Sequence, residues 1–199
     1  MLLGDFVFKM TYIELLAALA GIISIWYNTQ VSVRGWLWAI VSVTPYLYIF
    51  FVAKLYQDLL LHIVYLVMAI YGYWQWTRKD AQQRPVLPIT YTPAPERYAW
   101  AVAGVAATGL SGWFFGTFTD TDLPYWDALT TVFSLIATWM LARKRIENWP
   151  IWIFVDTFAV FIYAYKGLYI TSGLYAIYWV LALMGWRRWR VVYASQTSV

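Results

Sequence analysis

The stretch Trp149–Tyr165, WPIWIFVDTFAVFIYAY, reads as a membrane span with one carboxylate, Asp156, inside it. Asp156 lies seven positions after Trp149 and four after Trp152. At 1.5 Å per residue the carboxylate stands about 10 Å in from the end of the helix, with both indoles on the same stripe. An ionised carboxylate facing lipid costs several kcal/mol, so Asp156 is expected to face the bundle interior or a wet cavity and to meet a positive group.

The rest of the chain agrees with a membrane setting. It is 62% hydrophobic and 21% aromatic, with 12% charged residues and a mean hydropathy of +0.58, whereas soluble domains run near a quarter charged. Apolar runs of bilayer length occur at about 12–28, 35–53, 55–76, 97–117, 125–142, 149–165 and 168–187, all expected to be helices because lipid makes backbone groups pair within the segment. The segment 77–97, TRKDAQQRPVLPITYTPAPER, is the only linker-like stretch. The 199 residues form a single transmembrane domain on this reading. With no cysteine and one histidine, His62, neither disulfides nor Cys/His metal clusters are available, and no cofactor is expected. The opening MLLGDFVFKM lacks a basic region ahead of an apolar core and a small-residue cleavage pattern, so no cleaved signal peptide is expected.

Charge predicts the orientation. With the N-terminus outside, Arg34, Arg78, Lys79, Arg84, Arg97, Arg143, Lys144, Arg145, Arg187, Arg188 and Arg190 face the cytoplasm, against Lys9, Lys54 and Lys166 outside, 11 to 3. The net charge of +4 is accounted for by this topology, and no nucleic-acid partner is expected.

Sliding the sequence by 113 positions aligns Trp36 with Trp149, Ile40 with Ile153, Thr44 with Thr157, Leu55 with Leu168, Tyr56 with Tyr169, Gly72 with Gly185 and Trp76 with Trp189, part of 12 identities in 41 positions. The expected organisation is a repeat at about 12–76, a linker helix at about 97–117 and a second repeat at about 125–189. One extra span between two three-helix units makes them parallel, an architecture with its site near the midplane where the repeats meet. Asp156 answers to Val43, Trp152 to Ala39 and His62 to Tyr175, so the candidate residues lie where the copies differ.

No span contains a deep lysine or arginine. A cationic aromatic ligand held by indole faces and a carboxylate would supply the missing charge. The other reading of Asp156 is a protonated or interhelix-bonded side chain, with Trp149 and Trp152 as an interface belt. His62, in LLLHIVYL, is a candidate to bond substrate or to satisfy a neighbouring helix. Asp127 opens the fifth span ahead of Thr131, Ser134 and Thr138, a stripe that lines a path or caps and ties helices. An intramembrane enzyme would need HExxH, GxSxG, a second histidine or a nucleophilic cysteine, none of which is present. A two-carboxylate site would have to combine Asp58, Asp127 and Asp156, whose spacing gives no sign of it.

The runs 55–76, 130–156 and 163–189 resemble the nicotinamide riboside transporter family, PnuC, most specifically in WxxWxxx(N/D), here Trp149, Trp152 and Asp156. The resemblance implies a SWEET-like fold of three, one and three helices and a homotrimer in the inner membrane. It implies facilitated diffusion of a vitamin precursor, with uptake driven by its phosphorylation inside the cell. Two positions depart from the family pattern. The motif DxxxQxxYxxxxxYGxxxW commonly has glutamine where this chain has His62, and asparagine is frequent where it has Asp156. The anion favours a cation, with nicotinamide riboside expected and thiamine, also a cationic aromatic, the alternative.

Overall fold

The computed structural model describes residues 2–52, 56–82 and 85–197, with side chains described outside 2–11, 56–58 and 197. Lys54, Arg84 and the Leu55 half of the Leu55/Leu168 pair lie outside the described residues, as do the side chains of Lys9, Tyr56 and Asp58. The described chain forms seven helices: α1 (Leu2–Thr29), α2 (Arg34–Val52), α3 (Tyr56–Thr77), α4 (Ala94–Phe118), α5 (Pro124–Ala142), α6 (Asn148–Tyr165) and α7 (Tyr169–Thr197). Each coincides with an apolar run, and α1 and α7 extend well beyond theirs, α7 through the basic end of the span to Thr197. Among the described residues five helices, α1 to α4 and α7, are long and apolar enough to cross a membrane. Helices α5 and α6 fall short because the hydroxyl stripe on one, Asp156 on the other and the tryptophans and tyrosines of both lower their mean hydropathy.

The chain divides into two compact units, Met1–Leu87 and Pro88–Val199. In the first, α2 packs on both α1 and α3. In the second, α4 to α7 pack each on the next.

Both units are built on the same local devices, 113 residues apart. In the first, Trp36 meets Trp76 edge to face, centroids 5.7 Å apart at 88°. In the second, Trp149 meets Trp189 at 5.5 Å and 84°. A glycine, on α3 in the first unit and on α7 in the second, lets each indole lie against backbone: Gly72 faces Trp36, and a methyl at Gly185 would fall 2.6 Å from three atoms of Trp149. Small residues of this kind let apolar helices approach closely. Thr44 and Thr157 each donate to the carbonyl four residues earlier, Ile40 and Ile153, both at 2.7 Å.

The helix ends repeat as well. Val31 (φ 58°) and Lys144 (φ 52°) are the non-glycine residues with left-handed backbone among those described, and they too are 113 apart. Each follows a helix whose last carbonyls are closed by reverse bonds. Ser32 N–H donates to Tyr27 O (3.0 Å) and Val31 N–H to Asn28 O (3.1 Å); Arg145 N–H donates to Met140 O and Lys144 N–H to Leu141 O, both at 2.9 Å. The same motif ends α6 with the residue best suited to it, Gly167 at φ 74°.

Candidate functional site

The start of α6 is set by the turn before it. Glu147 occupies the N-cap, and its carboxylate accepts hydrogen bonds from the Thr92 N–H and hydroxyl. Asn148 is fully buried, with its amide donating 2.6 Å to Arg145 O. Lys144 of the same turn is also buried, and desolvation pushes its amine down to about 8.

One turn on, the candidate stripe begins. Trp149, 1% exposed, packs edge to face with Trp189 and lies against Gly185, and its buried indole N–H has no hydrogen-bond partner among the described residues. Trp152 is half-buried. Asp156 is 1% exposed, and neither of its carboxylate oxygens has a hydrogen-bond partner among the described residues. Beside it Thr157 receives a hydrogen bond from the Trp179 indole of α7, 3.0 Å away. Aromatic pairs join α5 to α6. Phe133 meets Phe154 at 5.6 Å, and Trp126 stacks on Phe158 at 5.1 Å, while Ser134 and Thr138 are buried and Thr138 donates back to Ser134 O.

Asp127 is not beside Asp156. Its carboxylate lies 3.3 Å from Lys166 Nζ and accepts from Thr121 Oγ1 at 3.1 Å, joining the start of α5 to the far end of α6. Lys166 is ten residues beyond Asp156, about 15 Å along the helix. The pair is partly exposed, at 40% for Asp127 and 30% for Lys166, and ion pairs of this kind contribute at most about 1 kcal/mol. Lys166→Met is therefore expected to leave thermal stability nearly unchanged and ligand affinity within about twofold. A tenfold loss of affinity would bring Asp127 into the binding site.

His62 belongs to the first unit, where α2 and α3 surround it with rings: Phe50 at 4.8 Å, Tyr46 at 5.3 Å and Tyr65 at 5.9 Å. The second unit has the same arrangement with tyrosine at the centre, Tyr175 lying 5.2 Å from Tyr163 and 5.8 Å from Tyr178. His62 thus occupies an aromatic position of the shared framework, with an imidazole in place of a phenol and one further ring, Tyr46, where the second unit has Ala159. Sequence reasoning passed over Glu147, Thr92 and the Trp149–Gly185–Trp189 contact. The last was within reach, since all three residues stand in the 113-residue alignment.

Five helices of bilayer length among the described residues define a multi-pass membrane protein, and α6 carries a buried carboxylate, Asp156. The family model described as nicotinamide mononucleotide transporter matches residues 11–191. The chain belongs to that family. It is 28% identical over 206 residues to the nicotinamide riboside transporter PnuC of Escherichia coli, covering 92% of this chain and 86% of that protein. It is also 28% identical over 128 residues to the riboflavin/roseoflavin transporter RibM of Streptomyces davaonensis, covering 63% of this chain and 60% of the relative. The crystal structure of the vitamin B3 transporter PnuC shares the fold, with a TM-score of 0.74 and 20% identity over 96% of this chain and 86% of that one.

Proposed function

We propose that this chain carries a cationic vitamin precursor, nicotinamide riboside, across the inner membrane by facilitated diffusion, with phosphorylation inside the cell trapping what enters. The observation that carries this reading is Asp156, an almost fully buried carboxylate whose oxygens have no partner among the described residues, on one helical stripe with Trp152. A pyridinium beside it gains an ion pair and a ring face together. In this reading Trp152 touches the ligand, Trp149 anchors the helix that presents both, and Asp127 ties the outer ends of α5 and α6. The nicotinamide riboside transporter among the relatives supports the substrate. The protein works as a transporter and not as an enzyme, with no nucleic-acid partner. Tryptophan quenching of purified protein by nicotinamide riboside, thiamine, riboflavin and nucleosides in competition is the test. Nicotinamide riboside is expected to bind tightest and to be recovered unaltered; chemical conversion would make the protein an enzyme.

All seven helices cross the membrane in this proposal, arranged as α1–α3, a linker α4 and a parallel α5–α7, as in the SWEETs, with three copies forming a trimer. The Trp–Gly–Trp contacts and the paired left-handed residues 113 apart support the two-repeat arrangement. The N-terminus lies outside and the C-terminus in the cytoplasm. Because the chain has no cysteine, the orientation is read with single introduced ones. In intact cells a cysteine at Thr121 is expected to react with an impermeant thiol reagent and one at Gln82 to be protected; the opposite pattern overturns it.

Thiamine remains the second reading, on the ground that His62 departs from the family's usual glutamine. In this proposal His62 tunes which substrate is accepted. His62→Gln is expected to change the ratio of nicotinamide riboside to thiamine affinity by more than about twofold, or roughly 0.4 kcal/mol. An unchanged ratio would leave His62 as one ring of its aromatic cluster.

A further inference from the structure

The polar connection between α3 and α4 is fastened at both ends. On the α3 side Val86 N–H donates to Arg78 O at 3.1 Å, Lys79 pairs with Pro85 as an antiparallel bridge, and Arg78 donates 3.3 Å to the buried Gln75 while its guanidinium stacks 4.8 Å over Trp74. On the other side residues 89–92 are sewn to the turn between α5 and α6. Thr90 pairs in parallel with Arg145: Thr90 N–H donates to Lys144 O (3.1 Å), and Ile146 N–H donates to Thr90 O (3.0 Å). The Arg145 guanidinium donates to Thr90 Oγ1 and Tyr91 O, both at 3.0 Å. The Glu147 carboxylate receives the Thr92 N–H at 3.0 Å on each oxygen, and the Thr92 hydroxyl at 3.0 Å on one. Ile89 and Thr92 are each only 2% exposed.

Between these two fastenings stand Leu87 and Pro88, at the boundary of the two compact units. We propose that Glu147 is a positioning residue: by clamping Thr92 it keeps the neighbouring Thr90–Arg145 bridge closed and so confines the pivot between the units to Leu87–Pro88. Proline fixes its own φ and restricts the residue before it, so the pivot is stiff as well as short. Without the Thr92 contacts the short Thr90–Arg145 bridge is left to hold the linker and opens more often, adding residues 89–93 to the free segment when it does, and a longer tether lets two bodies move more independently. The consequence for transport rests on the carrier reading above, to which this proposal adds that one unit moves against the other. Movement about a short, defined hinge sets the turnover rate without touching the ligand.

Glu147→Ala is therefore expected to lower the maximal transport rate about fivefold or more while leaving the equilibrium Kd within about twofold. Thr90 and Arg145 are the paired residues of the parallel bridge, which makes them the positions for a cross-link. A Thr90→Cys/Arg145→Cys pair, oxidised in the Glu147→Ala background, is expected to restore most of the rate, and reduction to remove it. Glu147→Gln, which keeps one carbonyl acceptor for Thr92, falls between and serves if the alanine variant does not fold. Spin labels at Gln82 and Tyr98 test the pivot without any ligand: the distance distribution is expected to broaden in Glu147→Ala. A wild-type rate with an unbroadened distribution overturns the proposal, as does arrest of transport when the Thr90–Arg145 disulfide forms in an otherwise unaltered chain. A wild-type protein that moves no vitamin, yet shows the broadening on Glu147→Ala, would instead overturn the carrier reading and keep the pivot.

Discussion

Asp156→Asn is expected to weaken binding of the cationic ligand roughly 5- to 150-fold, the equivalent of about 1 to 3 kcal/mol for a partly desolvated ion pair with its cation–π contact. The size follows from where the carboxylate sits. At 1% exposure it exchanges little screening with water, and no described side chain neutralises it. The ligand's charge is then the main favourable interaction open to it, and asparagine keeps the shape and the carbonyl while removing that charge. Asparagine is nearly isosteric with aspartate, so the fold is expected to survive, and an unchanged melting temperature is the control. A neutral analogue with the pyridinium reduced is expected to lose far less than the cation does. Equal losses for both ligands, or no loss for either, would make Asp156 a packing residue.

Gly185→Ala is expected to destabilise the second unit by about 1 to 3 kcal/mol, the usual cost of overpacking a filled core. The added methyl would lie 2.6 Å from Cε2, Cζ2 and Cη2 of Trp149, a ring that also packs edge to face with Trp189. No flexible end of a side chain is there to give way. Gly173, on the same helix, has nothing within 4 Å of an added methyl. Gly173→Ala should melt no lower than the parent and can gain up to about 1 kcal/mol from alanine's helix propensity. Thermal unfolding in detergent separates the two. Identical midpoints would show that the Trp149 contact does not hold α6 to α7. Because Trp149 is three residues from Trp152 and seven from Asp156, loss of this contact should also lower ligand affinity.

The helices were legible because lipid leaves the backbone no other way to pair, so composition alone located all seven to within a few residues apart from the longer α1 and α7. The tryptophans and glycines matched 113 residues apart were legible, and both sets make the same Trp–Gly–Trp contact in the structure. The role of Trp149 was less so: an indole at a helix end has the same sequence whether it sits in an interface belt or packs against a partner, and the partner, Gly185, is 36 residues away. Asp127 was read as a pathway or capping residue, and its ion pair with Lys166 depends on how far α5 and α6 run beside each other, which spacing within one helix does not specify. The clasp at Thr92 and Glu147 left no periodic signal at all. It joins a polar linker to a turn 55 residues later through one side chain, and neither residue is unusual in its own surroundings.

The most direct measurement is uptake of labelled nicotinamide riboside into proteoliposomes of purified protein, with the internal compound identified afterward. The account predicts that unaltered riboside rises inside only to its external concentration, and accumulates beyond it when a riboside-phosphorylating kinase and ATP are enclosed. Accumulation above the external concentration without that trap, recovery of a converted product, or entry no faster than into empty vesicles would contradict it.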